Sequence, residues 1–232
     1  VSRRLILLRH GQTHYNATRR MQGQLDTDLA PAGLEGARNI AQFLASDNIA
    51  RIISSDLRRA ADTAACVGAL IDVPVELDSR LRETHLGQWQ GMSSAEVDEQ
   101  HPGARAAWRH DPAYTPPGGE SRLDVARRAR PVIDELMADF SDWEGKSVLV
   151  VAHGGTISAL TGSLLGFRQS MFPTLVTLKN THCAVLKARP EFTPGSLDAM
   201  DDAAQEPEQA RFHGTEAAQW YLEGWNVGGP KL

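Results

Sequence analysis

Ser147-Val148-Leu149-Val150-Val151-Ala152-His153-Gly154-Gly155 (residues 147–155) decides the fold. Four consecutive apolar β-formers with no polar alternation predict a strand buried on both faces, the habit of a parallel sheet. The same pattern occurs at the start of the chain. Leu5-Ile6-Leu7-Leu8 is a short apolar run that stops abruptly at Arg9-His10-Gly11. Arg51-Ile52-Ile53-Ser54 and Val73 to Leu77 are further strand candidates. Helical spacing fills the intervals. Pro31 to Ala45 carries Leu34, Ala37, Ile40, Ala41 and Leu44 on one face, with Pro31 suited to a first turn. Ser55-Asp56 is positioned to cap a helix reaching about Leu70, and Ser93-Ser94-Ala95-Glu96 has capping-box spacing. Asp111 to Gly119, with three prolines and two glycines, predicts an excursion loop. Helices are expected from about Ser121 to Phe140 and from Thr156 to Leu165. Strands alternating with helices predict an α/β protein, a three-layer sandwich in which helices flank a mostly parallel central sheet.

The 232 residues suit a single domain over 1–232, with a helical or loop insertion near 92–120. Residues 190–210 break the pattern. They carry several acidic residues, no basic one and prolines at 190, 194 and 207, and they predict a mobile acidic loop. Trp220 to Val227 then reads as an edge strand returning to the body. A formal charge of −5 argues against a protein that reads nucleic-acid phosphates through a basic surface. Two cysteines, Cys66 and Cys183, are too few for a disulfide framework and suit a reducing, cytoplasmic setting. No apolar run approaches the roughly 20 residues of a membrane span. The apolar stretch after Arg3-Arg4 stops after four residues, too soon for a signal peptide.

Two strands thus end in a histidine followed by glycine, His10-Gly11 and His153-Gly154-Gly155. Ligands of open α/β sheets bind beyond the carboxyl ends of the strands, so parallel neighbours would bring both imidazoles into one pocket. Glycine beside each histidine lets backbone N–H groups approach a ligand. Arg9 precedes His10, and Ser54-Ser55-Asp56-Leu57-Arg58-Arg59-Ala60 sets a pair of arginines at a strand-to-helix junction. Guanidinium forks at a helix start form an anion site that fits phosphate. Adjacent on one helix, Arg58 and Arg59 must point apart. Arg58, Arg122, Arg127 and Arg128 are expected on solvated faces. Glu83, in Arg80-Leu81-Arg82-Glu83-Thr84-His85-Leu86-Gly87, is either a surface partner of Arg80 or Arg82 or a general acid for a leaving alkoxide. Asn16 and Gln22 are neutral donors in the loop after the first strand; with Thr13 and Gly154 they complete the predicted substrate-binding set.

Rival motifs fail on context. His182-Cys183 with Arg189 has the bare spacing of a cysteine phosphatase, but Ala184 to Ala188 reads as a strand rather than a phosphate loop. Asp26-Thr27-Asp28 mimics an aspartyl-phosphate nucleophile without a buried strand before it. There is no G-x-S-x-G elbow, GxxxxGK(S/T) loop, GxGxxG turn or HExxH pair.

Leu8-Arg9-His10-Gly11-Gln12-Thr13, Ser54 to Ala60 with Thr63-Ala64, Leu81-Arg82-Glu83 and Ala152-His153-Gly154 stand in the order of the histidine phosphatase superfamily, the phosphoglycerate mutase-like proteins. The chain resembles that family from about residue 3 to 165. The resemblance implies that His10 attacks phosphorus and becomes phosphohistidine, that Arg9, Arg59, His153 and often Asn16 hold the phosphate, and that Glu83 donates the proton. It implies no cofactor, no metal, a small phosphorylated metabolite as the only partner besides a homodimer mate, and no dealings with nucleic acid or membrane. A short 92–120 segment, with Gly87-Gln88-Trp89-Gln90-Gly91-Met92 in place of the mutase-type sequence, favours a phosphatase over a phosphoglycerate mutase. Retention of every reactive position disfavours a non-catalytic phosphoprotein-binding relative. Met21 to Thr27, Arg80 to Gly91, Pro102 to Arg109 and Gly118 to Arg122 are similar, more narrowly, to an actinobacterial branch acting on a glycosylated phosphoglycerate. A broad-specificity metabolite phosphatase is the alternative within the same chemistry.

Overall fold

The computed structural model describes residues 2–191, 212 and 218–229. The acidic stretch expected to be a mobile loop lies almost wholly outside these residues. Six strands form one sheet in the order β3-β2-β4-β1-β5-β6: β1 (Arg3–Arg9), β2 (Ile49–Ser54), β3 (Val75–Leu77), β4 (Ser147–Ala152), β5 (Cys183–Pro190) and β6 (Ala218–Val227). The first four are mutually parallel. β5 runs antiparallel to β1, and β6 antiparallel to β5. β3 is shorter than the Val73–Leu77 run, because the αL residue Asp72 ends the preceding helix and the chain needs residues 73 and 74 to turn.

Alternate residues of the central strands face opposite ways, and each face has its own core. Leu5, Leu7, Val148 and Val150 pack on α6 (Arg122–Asp139) and α7 (Gly154–Leu164) through Ile133, Leu136, Ile157 and Leu160. Ile6, Leu8, Leu149 and Val151 meet Ile40, Leu44, Ala64 and Val67 of α2 (Pro31–Leu44) and α3 (Arg58–Ile71). The expected three-layer sandwich with a mostly parallel centre is therefore what forms. Each fully buried aliphatic side chain contributes about 1.5–3 kcal/mol, so the uninterrupted apolar runs of β1 and β4 fix the centre of the sheet.

Residues 92–120 hold two short helices, α4 (Ser94–Gln100) and α5 (Ala104–His110), followed by the Pro-rich loop. Ser93 and Glu96 form the expected capping box, and Ser121 with Asp124 forms another at the start of α6. The cap of α3 differs from expectation. Its first free amide, Arg58 N–H, donates to Asp26 Oδ1 at 2.8 Å, a residue far back in the chain. Ser55 and Asp56 are engaged elsewhere, as described below. A one-turn helix α1 (His14–Ala17) follows β1 and is too short to leave a periodic signal.

The loop from His10 to α1 lies directly on α2, and glycine makes the approach possible. A Cβ at Gly33 would fall 1.9 Å from the Gln12 carbonyl oxygen, and one at Gly11 would fall 2.3 Å from the Gly33 oxygen. Gly33→Ala is expected to cost about 1–3 kcal/mol of stability by overpacking and, because the displaced loop carries His10, to lower turnover as well. Urea denaturation together with a phosphate-release assay checks both.

Candidate active site

Parallel pairing ends at Arg9 opposite Ala152 on β1 and β4, and at Ser54 opposite Val151 on β2 and β4. The next residue of each strand is therefore His10, His153 or Ser55, three neighbours on one rim. The imidazole centroids of His10 and His153 are 5.1 Å apart, and both rings are buried. His10 Nδ1 lies 2.7 Å from the Gly11 carbonyl oxygen, which can only accept, so Nδ1 holds the proton and Nε2 keeps its lone pair. His153 Nε2 sits 2.8 Å from Ser55 Oγ, leaving its Nδ1 buried and without a partner. Ser55, read from sequence as a helix cap, thus orients the second histidine instead.

Arg9 donates to the Leu178 carbonyl, while Arg59 donates to those of Leu25 (2.6 Å) and Gly23 (2.7 Å). Arg59 is fully buried; Arg58 points outward to Asp26 and Asp28, as their adjacency requires. The Nε atoms of Arg9 and Arg59 are buried without acceptors. Buried donors lacking partners are rare and costly, and the two guanidinium Nε–H groups beside the unpartnered His153 Nδ1 make a place for an anion. Burial, then the Arg59 and Arg9 charges, push the His10 pKa well below 6.5, and His153 is lowered by burial and Arg59. Burial also brings Arg59 down to about 10, so it remains charged at neutral pH. A neutral imidazole beside two guanidinium groups is a nucleophile facing a cationic anion site.

Glu83 lines the same cleft. The surface pairing considered for it does not form: Arg80 binds Asp78 and Glu135, and Arg82 binds Asp56. Its Oε1 instead accepts from Thr84 N–H at 2.7 Å, and Oε2 from Gly155 N–H at 3.1 Å in the first turn of α7. A Cβ at Gly155 would fall 2.5 Å from Oε1, so glycine there leaves the carboxylate room to sit in this position. Arg128, expected in solvent, braces this segment through the carbonyls of Glu83 (2.9 Å) and Arg80 (2.7 Å) and the Glu120 carboxylate (2.6 Å). Glu120 closes the base of the excursion, accepting from His85 N–H at 2.9 Å and donating its own N–H to the His85 carbonyl at 2.8 Å.

Asn16, Gln22 and Gly154 line the cleft as expected. Thr13 does not. It is fully buried; its N–H donates to Asn16 Oδ1 at 3.0 Å and its hydroxyl to Gln22 Oε1 at 2.8 Å, which directs both amide nitrogens away from it. Arg122, also expected in solvent, lines the cleft with its guanidinium 4.7 Å from the Trp108 ring centroid. Thr84, Trp108 and Thr177 are further lining residues that no motif marks. Asn180 donates to the His10 carbonyl at 3.0 Å and to Asn16 Oδ1 at 3.3 Å from the turn before β5. The cysteine rival ends here: Cys183 is buried in β5, and burial pushes its thiol up to about 12. Among the described residues no three His, Cys, Asp or Glu side chains are placed to share a metal ion.

The two lowered imidazoles set an acid limit on stability. The unfolded chain protonates histidine near pH 6.5, whereas the folded chain keeps both rings neutral to lower pH. The unfolded state therefore binds more protons below that pH, so the contribution is complete above about 6.5 and is lost as pH falls. Unfolding free energy is expected to drop between pH 6.5 and 5.5 with a slope approaching about 2.7 kcal/mol per pH unit for two protons. Urea titrations at stepped pH measure the slope, and replacing both His10 and His153 with alanine should flatten it.

The chain matches the histidine phosphatase superfamily (branch 1) over residues 5–194. It is 50% identical over 216 residues to the glucosyl-3-phosphoglycerate phosphatase of Mycolicibacterium vanbaalenii, an alignment covering 88% of this chain and 96% of that one. The Mycobacterium tuberculosis protein of the same name is 43% identical over 231 residues, 97% and 95% of the two chains. A mycobacterial glucosyl-3-phosphoglycerate phosphatase solved with VO3 superposes with a TM-score of 0.84 at 42% identity, covering 97% of this chain and all of that one. The complex of such an enzyme with inorganic phosphate gives 0.82 at 41% identity, covering 97% and 98%. With paired histidines at adjoining strand ends and buried guanidinium groups around them, the chain belongs to the histidine phosphatase superfamily and is a phosphatase.

Proposed function

We propose that this chain hydrolyses glucosyl-3-phosphoglycerate to glucosylglycerate and phosphate through a phosphohistidine on His10. The observation that carries the chemistry is the state of His10: neutral, with its proton held by the Gly11 carbonyl and its Nε2 lone pair free among buried cations. In the first step Nε2 bonds to phosphorus as the ester P–O bond breaks. The leaving alkoxide takes its proton from the Glu83 carboxyl group. In the second step water attacks phosphorus, gives a proton to Glu83 and breaks the N–P bond, which restores both residues. Arg9 and Arg59 neutralise the phosphoryl oxygens, His153 donates to one of them through Nδ1–H as Ser55 Oγ donates to its Nε2, and the amide groups of Asn16 and Gln22 with the Gly154 backbone complete the cradle, Thr13 holding those amides in place. All of the charge this requires is present in side chains, so the reaction is read as independent of metal and cofactor.

The choice of substrate rests on identity to enzymes of that name along nearly the whole chain. We further read residues 1–232 as one domain working in the cytoplasm, where Cys66 and Cys183 stay as thiols. A homodimer is proposed through the edge strand β6, which exposes Tyr221 and Leu222.

Phosphate release in EDTA from glucosyl-3-phosphoglycerate, 3-phosphoglycerate, mannosyl-3-phosphoglycerate and a phosphopeptide tests the assignment. Strong preference for the glucosyl compound, lost in His10→Ala, is expected; preference for another member of the panel overturns the substrate. Glu83→Gln should lower kcat on these alkyl esters by about 10²–10⁴-fold, and much less on p-nitrophenyl phosphate, whose leaving group needs no proton. Full activity of Glu83→Gln on the alkyl esters would remove Glu83 from the mechanism.

A further inference from the structure

Four arginines line the cleft, and three have partners. Arg9 and Arg59 are tied to carbonyl groups of the phosphate rim, and exposed Arg20 holds the Gly91 carbonyl at 2.9 Å and Glu96 at 3.5 Å. Among the described residues Arg122 donates no hydrogen bond and meets no carboxylate; its one specific contact is the face of Trp108. Three local costs accumulate there. Arg122 is the first residue of α6, where the helix dipole disfavours a cation. It is only partly exposed, so its charge is incompletely hydrated, and burial lowers its pKa while the Glu83 charge opposes the shift. Stacking on indole recovers part of this and holds the planar fork in one orientation, leaving its N–H edge unused. The indole contact accounts for the orientation of the guanidinium but not for its unused donors.

Arg122 also approaches from a different side. Arg9, His10, Arg59 and His153 project from strand ends and the α3 junction, whereas Arg122 and Trp108 come from the excursion between β3 and β4. The phosphate rim already has its own cations and orphaned donors. We propose that Arg122, seated on Trp108, is the specificity determinant that receives the carboxylate of a phosphorylated hydroxy-acid substrate while the phosphate occupies the Arg9–Arg59 rim. The inference rests on the substrate reading above, whose glycerate unit carries both anions. A guanidinium fork matches a carboxylate in two parallel hydrogen bonds, which a neutral group in that position cannot accept equally. Trp108 is a positioning residue, acting through the orientation of Arg122.

The test compares glucosyl-3-phosphoglycerate with its primary carboxamide in the wild type, Arg122→Gln and Arg122→Lys. Wild type is expected to prefer the acid. Arg122→Gln should lower kcat/KM for the acid by roughly 10–100-fold more than for the amide, mainly through KM, and Arg122→Lys should fall between. Trp108→Ala should imitate Arg122→Gln in part, with Trp108→Phe restoring the preference. Equal losses on acid and amide would overturn the proposal by assigning Arg122 to the phosphate or to Glu83, and no loss on either would remove it from the site. Thermal unfolding and inhibition by inorganic phosphate show whether each variant keeps its fold and phosphate rim. Failure of wild type to hydrolyse the glucosyl ester would overturn the substrate reading, whereas efficient hydrolysis with unselective Arg122 variants overturns this inference alone.

Discussion

The ladder between β1 and β4 is the contact on which the rest depends. Two segments separated by more than 130 residues pair in parallel and in register, so that Arg9 meets Ala152 and the residues that follow meet each other. A slip of one residue would turn every apolar side chain to the other face and separate His10 from His153. The register is held by two cores at once, one on each side of the sheet. Energy spent on burying Leu5 to Leu8 and Val148 to Val151 therefore also sets the distance between two imidazoles.

The site holds several positive charges away from water, and the structure offsets them selectively. Carbonyl oxygens of Leu25, Gly23 and Leu178 accept from Arg59 and Arg9 and fix both guanidinium planes without neutralising them. Carboxylates are used outside the rim: Asp26 and Asp28 on Arg58, Asp56 on Arg82, Glu135 on Arg80. Neutral acceptors orient a cation while leaving its field to act on a bound anion, whereas an acid would quench it. Burial, and after it the same field, keeps His10 unprotonated.

Much of this was legible in sequence because it follows from local rules. Apolar runs marked the central strands, and a histidine with glycine after two of them pointed to one rim. Adjacent Arg58 and Arg59 had to diverge, and the capping boxes at Ser93 and Ser121 were readable from spacing. What could not be read depends on contacts between distant segments. Ser55 was free to cap a helix until the neighbouring strand placed His153 over it, and Asp26 then capped α3 from another loop. Thr13 looked like a ligand contact but serves as a support, since burial removed it from the cleft. Arg122 and Arg128 look like ordinary polar residues of a long helix. Only the folded excursion shows that one faces the cleft and the other a cluster of carbonyls.

The clasp at the foot of that excursion has an evolutionary consequence. Residues 85 and 120 are joined by two hydrogen bonds, and Arg128 ties their neighbourhood to Glu83. The outer part of the excursion, α4 and α5, makes none of the hydrogen bonds that hold Glu83, so its change leaves the acid group's own anchors in place. Descent can then rewrite which molecule enters the cleft while inheriting the bond-breaking apparatus intact, so a lineage can acquire new substrates by exchanging one loop.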